Sequence, residues 1–250
     1  MNYEMMFKRK SFRRFNPELN LTSEELESVE SYLMHMTRFL SADQSLQYKI
    51  VQREQTTCKR GEYCILIYSE QSRLALMNLG YVIEQLDFYL ASLGIGACWY
   101  GMGKVESMHR HEGLPFSIML AIGKAEPLAF RKDYKKAKRK SDEDLWEGEA
   151  IYGIDGMTCV SYIKYAPSTC NSQPWYFKAD KNQLTVHIKP KEKMLVPKEK
   201  RPFYNYIDLG IQLICLETWF DHHGYSYERR IMEESNQFWV KYSYRRRHGD

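Results

Sequence analysis

The sequence lacks a strong charge of either sign. Its 36 Lys plus Arg stand against 32 Asp plus Glu, a formal net charge of +4, with the two signs interleaved through most of the chain. That excludes the concentrated basic surface expected of a nucleic-acid binder, while a mildly basic protein still attracts phosphate-bearing small molecules. Paired cysteines are also missing. Cys58, Cys64, Cys98, Cys159, Cys170 and Cys215 contain no CxxC and no Cys/His metal spacing, so no metal is expected and the thiols read as those of a reduced, cytoplasmic protein. No apolar run follows Lys8, Arg9 and Lys10, so no signal peptide is expected. The apolar stretch Leu74–Ile95 carries Glu84, Gln85 and Asp87 in its middle. Charge at a bilayer centre is costly, so this segment reads as a buried core helix, and no membrane partner is expected. The close pairs His109/His111 and His222/His223 have no supporting cysteine or carboxylate pattern and read as satisfied or exposed histidines.

What is present suffices for a full core: 44% hydrophobic and 14% aromatic residues over 250 positions. The chain reads as one large domain or two intimately packed halves. Thr22 and Glu25 have capping-box spacing, followed by Leu26, Val29, Leu33 and Met36 at helical intervals, which predicts a helix to about Phe39. Strands are predicted at Tyr48–Arg53, Tyr63–Ser69 and Pro115–Gly123, and a helix apolar on nearly every face at Gln71–Leu93. Arg131–Glu149 reads for the most part as a solvated, charged linker. A second half, 151–250, restarts with a predicted helix at Gly156–Tyr165 and strands at Trp175–Ala179 and Leu184–Ile188. It continues with a helix at Tyr206–His223 and a strand at Phe238–Tyr244.

The two long helices repeat at an offset of 130 residues. Leu79-Gly80 matches Leu209-Gly210, Leu86 meets Leu216, Asp87 meets Glu217, and Gly94 meets Gly224. An internal glycine on each helix lets the two pack closely, as equivalent helices do across a dimer two-fold.

Three segments carry candidate chemistry. In Arg9-Lys10-Ser11-Phe12-Arg13-Arg14-Phe15, alternation puts Arg9, Ser11 and Arg13 on one side of an extended chain, where two guanidiniums flanking a hydroxyl suit a phosphate and a sugar-like chain. In Ala166-Pro167-Ser168-Thr169-Cys170-Asn171-Ser172-Gln173-Pro174-Trp175, two prolines stiffen a loop displaying Ser168, Asn171 and Gln173. Amide side chains there can donate to and accept from a heteroaromatic edge. In Leu93-Gly94-Ile95-Gly96-Ala97-Cys98-Trp99-Tyr100-Gly101, glycines after a helix end let backbone approach a flat ligand; a plain helix-to-strand turn is the alternative.

Together these segments resemble the nitroreductase family: its RxSxRxF start at Arg9–Phe15, its APSxxNxQPW loop at Ala166–Trp175, and its GxGxxW-type turn at Gly94–Gly101. A basic segment before an acidic-apolar run stands at Arg139-Lys140-Ser141-Asp142-Glu143-Asp144-Leu145. In the family that loop follows the first helix. Here it lies about 130 residues later, and Leu40–Tyr48 stands in its place as a possible eroded copy. The resemblance implies an α+β, nitroreductase-like fold with central packed helices and mixed or antiparallel sheets. It implies two pseudo-repeated halves, 1–150 and 151–250, fused so that one chain imitates the usual homodimer, folded as a monomer with one site. Arg9, Lys10, Ser11 and Arg13, with Arg139 and Lys140, would hold the phosphate and ribityl chain of FMN. Pro167, Ser168, Asn171 and Gln173 would meet the cofactor from the second half, and backbone around Trp99 and Gly101 would approach the flavin ring. NAD(P)H would reduce the flavin and leave, and a small electron-poor acceptor such as a nitroaromatic or quinone would then be reduced. The cofactor carries the chemistry, so no catalytic side chain is named. A flavin-binding protein with little turnover, or dehalogenation or dehydrogenation on the same scaffold, stays open.

Overall fold

The capping box forms as its spacing predicts: Thr22 Oγ1 accepts from the Glu25 N–H at 3.2 Å, and Glu25 Oε2 accepts from the Thr22 N–H at 2.9 Å. In this computed structural model, which describes residues 3–36, 46–125, 130–190, 194–234 and 237–247, a short α1 (Met5–Lys8) precedes the capped helix α2 (Ser23–His35). The Leu40–Tyr48 segment falls mostly outside the described residues.

A first sheet is built from β1 (Leu46–Gln52), β2 (Tyr63–Ser69), β3 (Ile95–Tyr100) and β5 (Leu114–Lys124), ordered β1-β2-β5-β3 and antiparallel throughout; β4 (Arg110–His111) pairs with β5. The long helix α3 (Arg73–Ser92) connects β2 to β3. A second sheet, ordered β6-β7-β8-β10-β9, comprises β6 (Trp146–Gly148), β7 (Trp175–Asp180), β8 (Gln183–Ile188), β9 (Tyr225–Glu234) and β10 (Gln237–Arg246). It is antiparallel except for the parallel β6–β7 pair. The one-turn helices α4 (Asp142–Leu145) and α5 (Val160–Ile163) and the long α6 (Arg201–His222) accompany it. The architecture is α+β, as the sequence implies.

Along β2 the side chains alternate: Ile65 and Ile67 enter the main core, while Cys64, Leu66 and Tyr68 enter a smaller cluster on the other face, as a period of two requires. The main core runs through α3 and α6 to the second sheet, taking in Trp175, Phe177, Val186, Val240 and Tyr242. Among the described residues no helix is long and apolar enough to cross a membrane; α3 is instead a buried helix of the core.

Three expectations change. The helix-to-strand turn is confined to Leu93-Gly94, and the rest of the segment is a paired strand, β3; Gly96 makes room for the Phe12 ring, which a Cβ there would meet at 2.9 Å. The charged stretch 131–149 is not a plain linker, because it contains α4 and the second sheet's β6. The helix expected at Gly156–Tyr165 shrinks to one turn, because the chain first folds back through a Tyr152–Thr158 bridge and a Gly153 N–H to Met157 O bond of 2.8 Å.

α3 and α6 meet backbone to backbone. A methyl group on Gly80 would overlap the carbonyl of Ile207, and one on Gly210 would overlap the carbonyl of Met77. At the 130-residue offset, Met77 corresponds to Ile207 and Gly80 to Gly210, so each contact is the image of the other. Both helices end on a left-handed glycine, Gly94 at φ +72° and Gly224 at φ +74°. Beside the crossing, buried Glu217 of α6 accepts from Tyr81 of α3 at 2.7 Å, from Tyr242 at 2.6 Å, from Tyr227 at 3.0 Å and from Arg229 at 2.6 Å. This ties both helices to the second sheet. Overpacking in a fixed core costs about 1–3 kcal/mol, and here the obstacle is backbone. Gly80→Ala and Gly210→Ala should each lose at least that much in denaturant unfolding. Unchanged midpoints in both variants would contradict the crossing.

Candidate functional site

Arg9 leaves the end of α1 and turns inward instead of sharing a face with Ser11 and Arg13. It is 2% exposed and pairs with Asp87 at 3.0 Å and, more distantly, with Glu84 at 3.8 Å, both on α3. Trp99, on β3, donates its indole N–H to Glu84 at 3.2 Å. Burial works against the Arg9 charge, but Asp87 and Glu84 outweigh it and raise its pKa. Burial also pushes both carboxyls up, against the pull of Arg9. Ser11 and Arg13 are exposed. The difference arises because the Ser11–Phe12 backbone docks on β3, with the Phe12 N–H donating to Ala97 O at 2.9 Å, and Phe12 rather than its neighbours turns into the core. Lys10 lies over the Phe12 ring at 5.1 Å. Arg13 lines an open groove with Arg14, Arg53 and Lys59 that includes no residue of the 166–174 loop.

Two more guanidiniums join Arg9. Arg139 is more than half buried, and burial, followed by the charges of Arg131 and Arg9, lowers its pKa to about 10. Burial and then Arg9 lower that of Arg131. Arg139 donates to Lys138 O at 2.8 Å, to Asn171 Oδ1 at 3.0 Å and to Tyr165 O at 3.0 Å. Its Nε, like Nη1 of Arg131, is buried with no acceptor among the described residues. Buried donors are nearly always satisfied, so orphaned donors on two guanidiniums whose charge the surroundings disfavour would suit an anion that brings its own oxygens.

The proline-bracketed loop lies against this cluster. Cys170, Asn171 and Gln173 adopt left-handed backbone, with φ of +52°, +53° and +48°. Such residues cost about 1–3 kcal/mol each and persist where the surroundings over-determine them. Here the Lys140 N–H donates to Gln173 Oε1 at 2.9 Å and its Nζ to Gln173 O at 2.9 Å. The Gln173 N–H donates to Ser168 Oγ at 2.9 Å, and Asn171 Nδ2 to Lys138 O at 3.0 Å. From α6, Asp208 accepts from the Thr169 N–H at 2.9 Å and its hydroxyl at 3.1 Å. Burial pushes the Asp208 carboxyl up to about 7. Tyr204, also on α6, donates to Gly101 O at 2.7 Å, and burial, then its nearness to Cys170 and Asp208, raises its pKa. Gly101 is thus linked through Tyr204 to the loop side. Pro167 is half-buried beside Ser168.

The structure therefore gathers Arg9, Trp99, Arg139, Lys140, Ser168, Asn171 and Gln173 into one neighbourhood, and leaves Lys10, Ser11 and Arg13 on the outer side of their segment. Sequence reasoning missed Arg131, Tyr204 and Asp208. It noted Glu84 and Asp87 as an obstacle to a membrane span, and Asp87 in the repeat, but not as a pair, although two carboxylates three residues apart in an apolar helix share a face and need a buried partner. Arg131 had no such signal, lying among ordinary surface charges.

The family model described as "Putative TM nitroreductase" matches residues 2–218. The fold is similar to that of a putative nitroreductase from Thermotoga maritima, at 19% identity and a TM-score of 0.62, covering 97% of this chain and 94% of that one. A putative nitroreductase in complex with FMN from Desulfovibrio desulfuricans matches at 14% identity and a TM-score of 0.45, over 59% of this chain and 96% of that chain. A nitroreductase with bound FMN from Desulfitobacterium hafniense matches at 14% identity and 0.42, over 56% and 100%. No curated protein matches.

Asp208 gives this site a signature in pH. Its folded pKa of about 7 lies above the ordinary 3.8, so the folded chain favours the protonated form. The group's contribution to stability is greatest below about pH 4, is lost as pH rises toward 7, and is level above that. Asp208→Asn removes this slope. The stability of the variant relative to the parent should rise between pH 5 and pH 8 by more than about 1 kcal/mol, since each tenfold difference in proton affinity between the folded and unfolded chain is worth roughly 1.4 kcal/mol. Urea unfolding at the two pH values measures it, and an equal gap at both would contradict the assignment.

Proposed function

Because the chain belongs to the nitroreductase family, we propose that it is an FMN-dependent oxidoreductase that takes electrons from NAD(P)H and delivers them to a small electron-poor acceptor such as a nitroaromatic or quinone. The observation that carries this reading is the cluster of Arg9, Arg131 and Arg139, in which Arg139 Nε and Arg131 Nη1 are buried with no acceptor among the described residues. Its donor set fits a phosphate: guanidinium forks match phosphate oxygens in geometry and stay charged. In this reading Arg131 and Arg139 bind the cofactor phosphate. Arg9, held and balanced by Asp87 and Glu84, anchors its segment at the cluster. Asn171 and Ser168 stand at the edge where the ribityl chain and ring would pass, and Gln173 and Lys140 hold the loop around them. Trp99 and Gly101 line the first-sheet side, kept in register by the bonds from Trp99 to Glu84 and from Tyr204 to Gly101. When bound, FMN would supply a ring that accepts a hydride and passes electrons on. The protein's part is to hold it, orient it and place polar groups around it.

We further propose that 1–150 and 151–250 act as fused halves, with the second sheet beginning slightly earlier, at Trp146. The reciprocal contacts of Gly80 and Gly210 support this, being of the kind an isologous two-fold produces. The arginines at 9 to 13 and 131 to 139 come from one half and the intact loop from the other, so the chain would hold one site without a partner subunit.

A charge-assisted hydrogen bond contributes about 1.5–3 kcal/mol. Arg139→Ala and Arg131→Ala should therefore each weaken FMN binding on the order of tenfold or more in a fluorescence-quenching titration. The parent protein should be bleached anaerobically by NADH or NADPH and recover its colour on adding a quinone. A parent chain that neither carries nor takes up FMN would sink the reading.

A further inference from the structure

Asp208 is 1% exposed, and the hydrogen bonds seen for its carboxylate all come from the flavin-side loop. The Thr169 N–H bridges both oxygens at 2.9 and 3.1 Å, the Thr169 hydroxyl donates at 3.1 Å, and the Ser172 hydroxyl approaches at 3.5 Å. Among the described residues no cation forms an ion pair with it. A buried carboxylate held only by neutral donors costs stability, so its place in the core calls for a reason beyond packing. The loop supplies one. Thr169 immediately precedes the left-handed pair Cys170 and Asn171, and Ser172 immediately follows it. Asp208 therefore grips the strained turn on both sides from beneath, while Arg139 and Lys140 brace it from outside.

The position of Asp208 in α6 matters equally. It lies between Ile207, whose carbonyl faces Gly80, and Gly210, which faces the Met77 carbonyl. It is thus fixed at the helix crossing itself. The same crossing fixes α3, which carries the Glu84 and Asp87 that hold Arg9. At the 130-residue offset Asp208 corresponds to Asn78, in the half that has no complete copy of the loop.

We propose that Asp208 is a positioning residue: it references the loop at Ser168–Gln173 to the α3–α6 crossing and so sets the distance between Asn171 and the arginine cluster. This deepens the flavin reading and rests on it. The test is amide hydrogen exchange of the full-length chain before and after adding FMN, with an FMN titration alongside. In Asp208→Ala, exchange should accelerate on the order of tenfold or more in 166–174 while α3 and β7 keep their protection, and FMN should bind on the order of tenfold more weakly. Asp208→Asn keeps an acceptor for the Thr169 N–H and should restore both toward the parent. If Asp208→Ala does not fold, Thr169→Ala, which removes the hydroxyl bond alone, should give a smaller change confined to the same residues. Unchanged exchange in 166–174, or protection lost evenly across the chain, would overturn the proposal. Loop exchange that responds as described in a parent chain that never binds FMN would keep the clamp and reject the flavin reading.

Discussion

The crossing of α3 and α6 sets the rest of the molecule. Two helices with ordinary side chains at the contact pack about 8–10 Å apart. Glycine at 80 and at 210 removes the side chain from each and brings backbone against a facing carbonyl. Everything at the site is indexed to that contact. Glu84 lies one turn beyond Gly80 and Asp87 nearly two, on the helix that holds Arg9; Asp208 sits inside the contact on the other helix. A shift of one helix along the other would separate the arginine from the loop without unfolding either sheet.

The charges of the site are arranged asymmetrically. Arg9 is balanced within the protein by Glu84 and Asp87, whereas Arg131 and Arg139 retain donors that the described residues do not satisfy. Isolated buried charge is costly, and a fold retains it where geometry or a ligand compensates. Burial, then Arg131 and Arg9, depress the pKa of Arg139, and burial, then Arg9, that of Arg131. Set against a loop with three left-handed residues, these guanidiniums concentrate electrostatic and backbone strain at one place. Such strain is characteristic of sites that are organised before their ligand arrives.

Much of this was legible in the residues. The capping box at Thr22, the apolar run of β2, the two long helices and the 166–174 loop each carry a local signal, and each forms where that signal lies. What escaped depends on contacts distant in sequence. β3 carries Gly96 because Phe12 packs on it, which strand propensity does not encode. β6 is three residues long and exists through its parallel pairing with β7. The inward turn of Arg9 follows from carboxylates more than seventy residues away, so alternation along its own segment placed it beside Ser11 and Arg13. Arg139 was indicated by the family resemblance, but Arg131 sits in a run of surface charge whose composition does not say that it turns inward. The repeat at 130 residues could be seen in sequence, but the reciprocity of the Gly80 and Gly210 contacts could be seen only in three dimensions.

We propose that one chain, carrying the arginines in its first half and the intact loop in its second, completes a single cofactor site. Native mass spectrometry of the purified protein titrated with FMN tests this most directly. The account predicts one chain with one FMN at saturation. Two FMN per chain, or flavin retained only by a dimer, would contradict it.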